Sequence, residues 1–220
     1  DFSKYHLKGI KLSLNSEVVK IYYKENYWEI TLKDNSKHRF KSIILTCPYP
    51  QLKKIAKNYL NKKLMKLGIL MQPNITFMIA LKNNKKLPIS SIKFDNEILA
   101  WIGNENSKKR FKSNLNLWTI QSSLKFSKRY INSYKKKNNI SNLIEKKFLK
   151  IVNLKKKDVI FKKIHGWKYS YNYKSTVLKS FWNKKLNLGI CADWFNGPKI
   201  EDAWISSIDL YKKIKKNPLN

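Results

Sequence analysis

Between Leu188 and Tyr211 an acidic side chain and the start of a helix fall within one short stretch. The run Leu188-Gly189-Ile190-Cys191-Ala192 is apolar enough for a buried strand. Asp193 ends it, Gly197-Pro198 breaks the loop that follows, and Ile200 opens a helix. A carboxylate at that place can bind sugar-type hydroxyls, and the free N–H groups of a helix start favour negative charge. The same residues also describe an ordinary strand–loop–helix unit, and on these features alone both readings stand.

Elsewhere the residues of catalysis are sparse. His6, His38 and His165 have no cysteine or carboxylate at ligand spacing, so no metal site is expected. There is no Gly-x-Ser-x-Gly nucleophile turn and no glycine loop able to cradle phosphate, since the whole chain holds only 6 glycines. Any chemistry must then be carried by a cofactor.

The elements that would position such a site come in three blocks. In the first, Tyr27–Leu32 alternates at period two and Glu17–Tyr23 precedes it as a partner strand. A turn at Asp34-Asn35-Ser36 leads to a short return strand at His38-Arg39-Phe40. The run 43–47 is apolar throughout, which predicts a strand covered on both faces, and a helix bearing Leu52, Ile55, Ala56, Tyr59 and Leu60 follows it. Phe2 and Leu7 suggest the end of a helix stopped at Gly9. In the middle block Ile75–Leu81, Ile98–Ile102, Leu115–Gln121 and Asp158–Ile164 read as strands at wide spacing. Ser141 is read as the N-cap of a helix with Ile144, Phe148, Ile151 and Val152 inward. Without strand–helix alternation, this block predicts an antiparallel sheet with helices on one side. The third block returns to the first texture, and its helix places Ile200, Ala203, Trp204, Ser207, Ile208, Tyr211 and Ile214 on the predicted inner face.

The chain has 220 residues and a net charge of +33, with 42% apolar residues, enough for a sizeable core and incompatible with disorder. Of 47 basic residues only Arg39, Arg110 and Arg129 are arginine, leaving 44 lysines spread along the chain. A reader of phosphates and bases favours arginine, whose planar fork makes bidentate contacts. Asparagine (24) and isoleucine (25) are also in excess and alanine (5) is scarce, a pattern that A/T-rich codons produce by themselves. The lysines are therefore read as solvated surface, with no nucleic acid expected; a polyanion-binding protein is the alternative. Gln72, Pro73, Asn74 and Thr76 interrupt the most apolar stretch, which is shorter than the ~20 residues of a membrane span. No signal peptide is expected where Asp1, Lys4 and Lys8 interrupt the start, and two distant cysteines, Cys47 and Cys191, fit a reducing cytoplasm.

The stretch Leu188-Gly189-Ile190-Cys191-Ala192-Asp193-Trp194-Phe195-Asn196-Gly197-Pro198-Lys199-Ile200-Glu201-Asp202-Ala203-Trp204-Ile205-Ser206 closely resembles the C-terminal flavin-binding motif of renalase-like FAD-dependent oxidoreductases, relatives of the flavin amine oxidases. Four further segments agree in order: Ser16–Ile21, Ile44–Gln51 with its Pro-x-Pro-Gln end, Trp101-Ile102 with Trp118, and Trp167-Lys168-Tyr169. Two positions depart: Ala192 and Ser207 stand where the family has glycine. The family's opening strand and Gly-x-Gly-x-x-Gly turn have no counterpart here, which implies a C-terminal portion or one half of a split protein.

The resemblance implies an α/β fold, part of a Rossmann-like FAD-binding domain (1–72 and 185–220) interrupted by an α+β substrate domain with an antiparallel sheet (73–184). It implies FAD as cofactor, with contacts at Val18, Cys47, Pro48, Asp193, Ile200, Glu201 and Ala203, and a substrate pocket walled by Trp167 and Tyr169. Asp193 would accept a hydroxyl, Val18 would touch the adenine, and the Ile200 N–H would face the flavin N1–C2=O edge. The expected reaction is hydride transfer from a small amine or reduced nicotinamide-like substrate, with a fold that has lost catalysis as the alternative. No catalytic acid or base stands out, and nothing in the chain speaks to its oligomeric state.

Overall fold

The computed structural model describes residues 7, 9–82, 88–110, 112–136 and 138–217. The expected helix end at Phe2 lies outside them. In chain order the strands are β1 (Val18–Lys24), β2 (Tyr27–Leu32), β3 (Lys37–Phe40), β4 (Ile43–Leu45), β5 (Gln72–Leu81), β6 (Ser91–Lys93), β7 (Leu99–Asn104), β8 (Asn116–Ser122), β9 (Val159–Tyr171), β10 (Phe181–Asn183) and β11 (Leu188–Ile190). The helices are α1 (Tyr49–Ala56), α2 (Lys62–Met65), α3 (Leu124–Tyr130), α4 (Asn138–Val152) and α5 (Ile200–Lys216). The chain forms two compact units, 1–68 with 175–220, and 69–174.

In the first unit β1, β2 and β3 form an antiparallel meander. Its first turn is made by Glu25 and Asn26, both at positive φ (51° and 66°), which matches the right-handed twist of the strands it joins. Trp28 of β2 is fully buried; its ring lies between Tyr23 and Tyr59, and its Nε1–H donates to the Leu186 carbonyl at 2.6 Å. A second sheet has the order β10-β11-β4, in which β11 and β4 run parallel, Gly189 opposite Ile44. Leu188 and Ile190 are buried in it, and α5 lies across Gly189, where an added Cβ would come within 3.0 Å of Leu210. Only glycine lets helix and strand approach that closely. The strand Phe181–Asn183 pairs with β11, so the first unit resumes at Ser175, ahead of residue 185.

In the second unit five antiparallel strands have the order β6-β7-β8-β5-β9. Alternate residues of β5 (Ile75, Phe77, Ile79) join Ile102, Trp118 and Ile120 in one core with Phe126, Ile144, Phe148 and Val152 from the helices. This is the period-two burial that puts one strand face inward.

Three expectations are corrected. Ser141 lies inside α4, which begins at Asn138, because the apolar face starts with buried Ile140. The 43–47 run forms only a three-residue strand, an edge among the described residues, and one of its faces is poorly covered: Ile44 is 54% exposed, whereas Ile43 and Leu45 are part-buried. The inner face of α5 is carried by Ser206 and Leu210, whereas Ile200 (80%), Trp204 (58%) and Tyr211 (61%) are exposed. The apolar arc of α5 is wider than the sheet beneath it, and only one side of the arc is covered.

Candidate functional site

Two parallel strands end side by side, and both lead into turns. After β4 come Thr46, Cys47 and Pro48, with α1 starting at once; after β11 come Cys191, Ala192 and Asp193. The carboxyl ends of parallel strands are where open α/β sheets bind ligands. Trp194 ties the two ends together. It is fully buried, its Nε1–H donates to the Cys47 carbonyl at 3.0 Å, and its ring stacks on Phe195 at 4.0 Å. Residues 147 apart in sequence are thereby held at one place, and nothing local in the sequence marks the pair.

Asp193 sits at this junction, half-buried. Its Oδ1 accepts the Trp194 N–H at 2.7 Å, and its carbonyl accepts the N–H groups of Asn196 and Gly197 at 2.8 and 2.9 Å. Burial pushes its carboxyl above the ordinary range, and the nearby Asp202 carboxylate pushes the same way. Asp202 belongs to the first turn of α5, where its Oδ2 accepts the Lys199 N–H at 2.8 Å and its carbonyl accepts from the Asn196 side chain at 3.0 Å. The loop, the acid and the start of the 17-residue helix thus form one hydrogen-bonded unit. Ser206 fastens it to the strand: its hydroxyl accepts the Ala192 N–H at 3.0 Å and donates to the Lys179 carbonyl at 2.6 Å. Ala192 is buried, and Ser207 turns its hydroxyl back to the Trp204 carbonyl at 2.7 Å.

The other sequence-predicted residues divide between two surfaces. Val18 and Cys47 line an apolar cavity of about 430 Å³ between β1, β2, β4 and α1, with Glu17, Gln51 and Lys54 at its polar positions. Pro48 precedes α1 directly beside it. Ile200, Glu201 and Ala203 line a shallower hollow on α5 with Trp204 and Ser207. Burial pushes the thiols of both Cys47 and Cys191 up, so neither is a ready nucleophile. Trp167 and Tyr169 lie on β9 in the second unit, where Trp167 is exposed and meets the His165 ring edge-on at 4.3 Å. Sequence reasoning did not single out Trp194, Asp202 or Ser206 as positioning residues; the Asp three residues after Lys199 was the available signal for the helix start.

These residues fit parts of a flavin nucleotide. A half-buried carboxylate suits a hydroxyl-rich chain, the apolar cavity suits a ring system, and a long helix start suits a negative edge. Among the described residues no group of three or more His, Cys, Asp or Glu could hold a metal ion, and no helix is long and apolar enough to cross a membrane.

No family model matches the chain. Among solved structures it is similar to a candidate protoporphyrinogen oxidase from Exiguobacterium sp. 255-15, with TM-score 0.66 and 8% identity over 91% of this chain and 46% of that one. It is also similar to a Pyrococcus furiosus protein, with TM-score 0.56 and 14% identity over 93% of this chain and 48% of that one. A third similar structure is a putrescine oxidase triple mutant with redesigned cofactor binding, with TM-score 0.61 and 8% identity over 98% and 52%. At these identities the likeness establishes the fold alone. The chain spans about half the length of each of these structures.

Proposed function

We propose that this chain forms part of an FAD-dependent oxidoreductase of the amine-oxidase type, renalase-like in its sequence motifs. The observation that carries the reading is the junction at Asp193: two parallel strand ends, a half-buried acid and a helix start, on a fold shared with oxidases. When bound, the flavin supplies a two-electron acceptor for a hydride from a small amine or reduced nicotinamide-like substrate.

The chain's own residues orient and shield. Asp193 accepts a hydrogen bond from a hydroxyl of the cofactor, and the backbone N–H of Ile200, at the start of α5 beside Glu201, serves the ring edge. The small side chain of Ala203 leaves room beside that helix end. Val18, Cys47 and Pro48 supply apolar contact for a ring. Trp167 and Tyr169 are assigned to the substrate side. No residue is assigned as general base, which matches hydride transfer, where orientation and exclusion of water do most of the work.

The test is flavin binding by the protein at its natural length, followed by visible absorption and fluorescence quenching on titration with FAD. Saturable binding that weakens in Asp193→Ala supports the reading. Absence of binding at saturating FAD, in a protein whose circular dichroism shows it folded, refutes it.

A further inference from the structure

Two hollows of the second unit contain none of the residues assigned to flavin or substrate, and they meet at a buried acid. Glu145 of α4 is 3% exposed. Its Oε2 accepts from Lys162 Nζ of β9 at 2.6 Å, and the same nitrogen reaches Asn142 Oδ1, also on α4, at 3.5 Å. Taking such a pair out of water is seldom a net gain in stability, because apolar side chains of similar volume do as well or better. The pair is explained instead by what it holds in place. The Glu145 side chain is hidden (4% exposed) while that of Lys162 is open to solvent (40%), so the acid fixes one end of a cation that the surface presents.

The hollows have volumes of about 220 and 280 Å³, against the ~30 Å³ that one water takes, and both are lined by Glu145 and Lys156. The larger adds Lys146 of α4, and the smaller adds Lys162, Ile160 and Phe161 of β9. Lys156 stands on a single 3-10 turn, Lys156–Asp158, that is pinned at both ends. Asp158 Oδ2 accepts the Lys155 N–H at 3.2 Å, and the Asp158 carbonyl accepts the Lys82 N–H at 2.8 Å. Glu145 is the one carboxylate among the residues lining the hollows, so three ammonium groups face one carboxylate, a net of +2. Like charges gathered this way repel unless an anion joins them. Ile160 and Phe161 are 51% and 54% exposed. Consecutive strand residues point to opposite faces, yet both line the smaller hollow, which therefore wraps around β9, an edge strand among the described residues.

We infer that this double hollow is a binding site for a small organic phosphate monoester with a flat apolar body. A phosphate monoester carries a charge of about −1.5 to −2 at pH 7, which matches the net charge of the lining. A carboxylate ligand brings a single charge and leaves one ammonium unmatched. Lysine suits the task, because its compact ammonium has three donors that turn to meet a tetrahedral oxyanion. Lys146, Lys156 and Lys162 hold the phosphate where the hollows meet, with Glu145 as the positioning residue for Lys162. The apolar body rests on Ile160 and Phe161. Every residue involved belongs to the second unit, so the inference stands whether or not a flavin is bound.

The experiment is calorimetric titration of the protein at its natural length with phenyl phosphate, at about 0.15 M salt, where exposed charges more than about 8 Å apart are largely screened. Lys146→Gln/Lys156→Gln removes two lining cations. Lys147→Gln/Lys157→Gln removes the same charge one residue along, from side chains that line neither hollow. All four lysines are exposed, so both variants keep the fold, which circular dichroism checks. Affinity is expected to fall at least about tenfold in the first variant and less than about twofold in the second. Inorganic phosphate should bind at least about fivefold more weakly than phenyl phosphate, and Phe161→Ala should remove most of that preference. Binding should also weaken from pH 7 to about pH 5, where the phosphate loses its second charge and the lysines keep theirs. No saturable binding, equal loss in the two double variants, no loss in either, or inorganic phosphate bound as tightly as phenyl phosphate would each overturn the inference.

Discussion

Two buried tryptophans give a sharp test of how the site is held. Trp194 and Trp118 are both essentially inaccessible, at 0% and 1% exposure, and each packs against a phenylalanine. They differ in one atom's fate. The Trp194 Nε1–H is bonded to the Cys47 carbonyl at 3.0 Å, whereas the Trp118 Nε1 is buried without a partner among the described residues. Replacing either by phenylalanine removes a similar piece of ring and leaves a similar void, a shared cost of about 1–2 kcal/mol. Trp194→Phe additionally loses a hydrogen bond and strands a carbonyl, about 1 kcal/mol more. Trp118→Phe instead removes an unsatisfied N–H, which returns about 1–3 kcal/mol and cancels most of its cost. The expected gap between the two variants is therefore about 2 kcal/mol or more, with Trp194→Phe the weaker protein. Urea unfolding monitored separately for each unit, by amide exchange of α4 and of β11, measures the two costs. Equal costs, or a larger cost at Trp118, would refute the assignment of Trp194 as the tie between the strand ends. Trp194→Phe should also weaken flavin binding, while Trp118→Phe should leave it alone.

Asp193 has a raised pKa, so the folded state holds its proton more tightly than the unfolded chain does. Its contribution to stability is fully present below the ordinary carboxylate range and is lost as pH rises through the raised value. Melting curves of Asp193→Asn against the parent should diverge on going from acid to neutral pH, with the variant the more stable at neutral pH; parallel curves would disprove this. Gly197→Ala puts a Cβ 2.8 Å from Asp202 Oδ2, which caps the Lys199 N–H, so it should cost about 1 kcal/mol and speed amide exchange at the start of α5. Glu145 is buried at 3% exposure and accepts from Lys162 Nζ at 2.6 Å, so Lys162→Met should destabilise the second unit by about 2 kcal/mol, with the double variant Glu145→Gln/Lys162→Met recovering part of it in the same urea assay.

Much of this protein is legible without coordinates. The alternation in Tyr27–Leu32, the apolar run Ile75–Leu81 and the turn residues at Asp34-Asn35-Ser36 mark their elements, because strand pleat and turn dihedrals are set by short-range sterics. The strand–loop–helix around Asp193 belongs to the same class: its order along the chain is local information. β6, β10, α2 and α3 went unmarked, being short elements whose periodicity is too brief to register.

What covers what is a different kind of fact. The run around Ile44 is as apolar as a doubly covered strand, yet Ile44 is half exposed, and the apolar arc of α5 does not say which side meets Gly189. Trp194 reaches Cys47 across 147 residues, and that bond brings the two strand ends to one junction. The sequence by itself determined the local elements and the residue types at the candidate site. The tertiary structure alone decided which apolar faces are buried and which chain ends meet, because those depend on contacts between segments that no local pattern encodes.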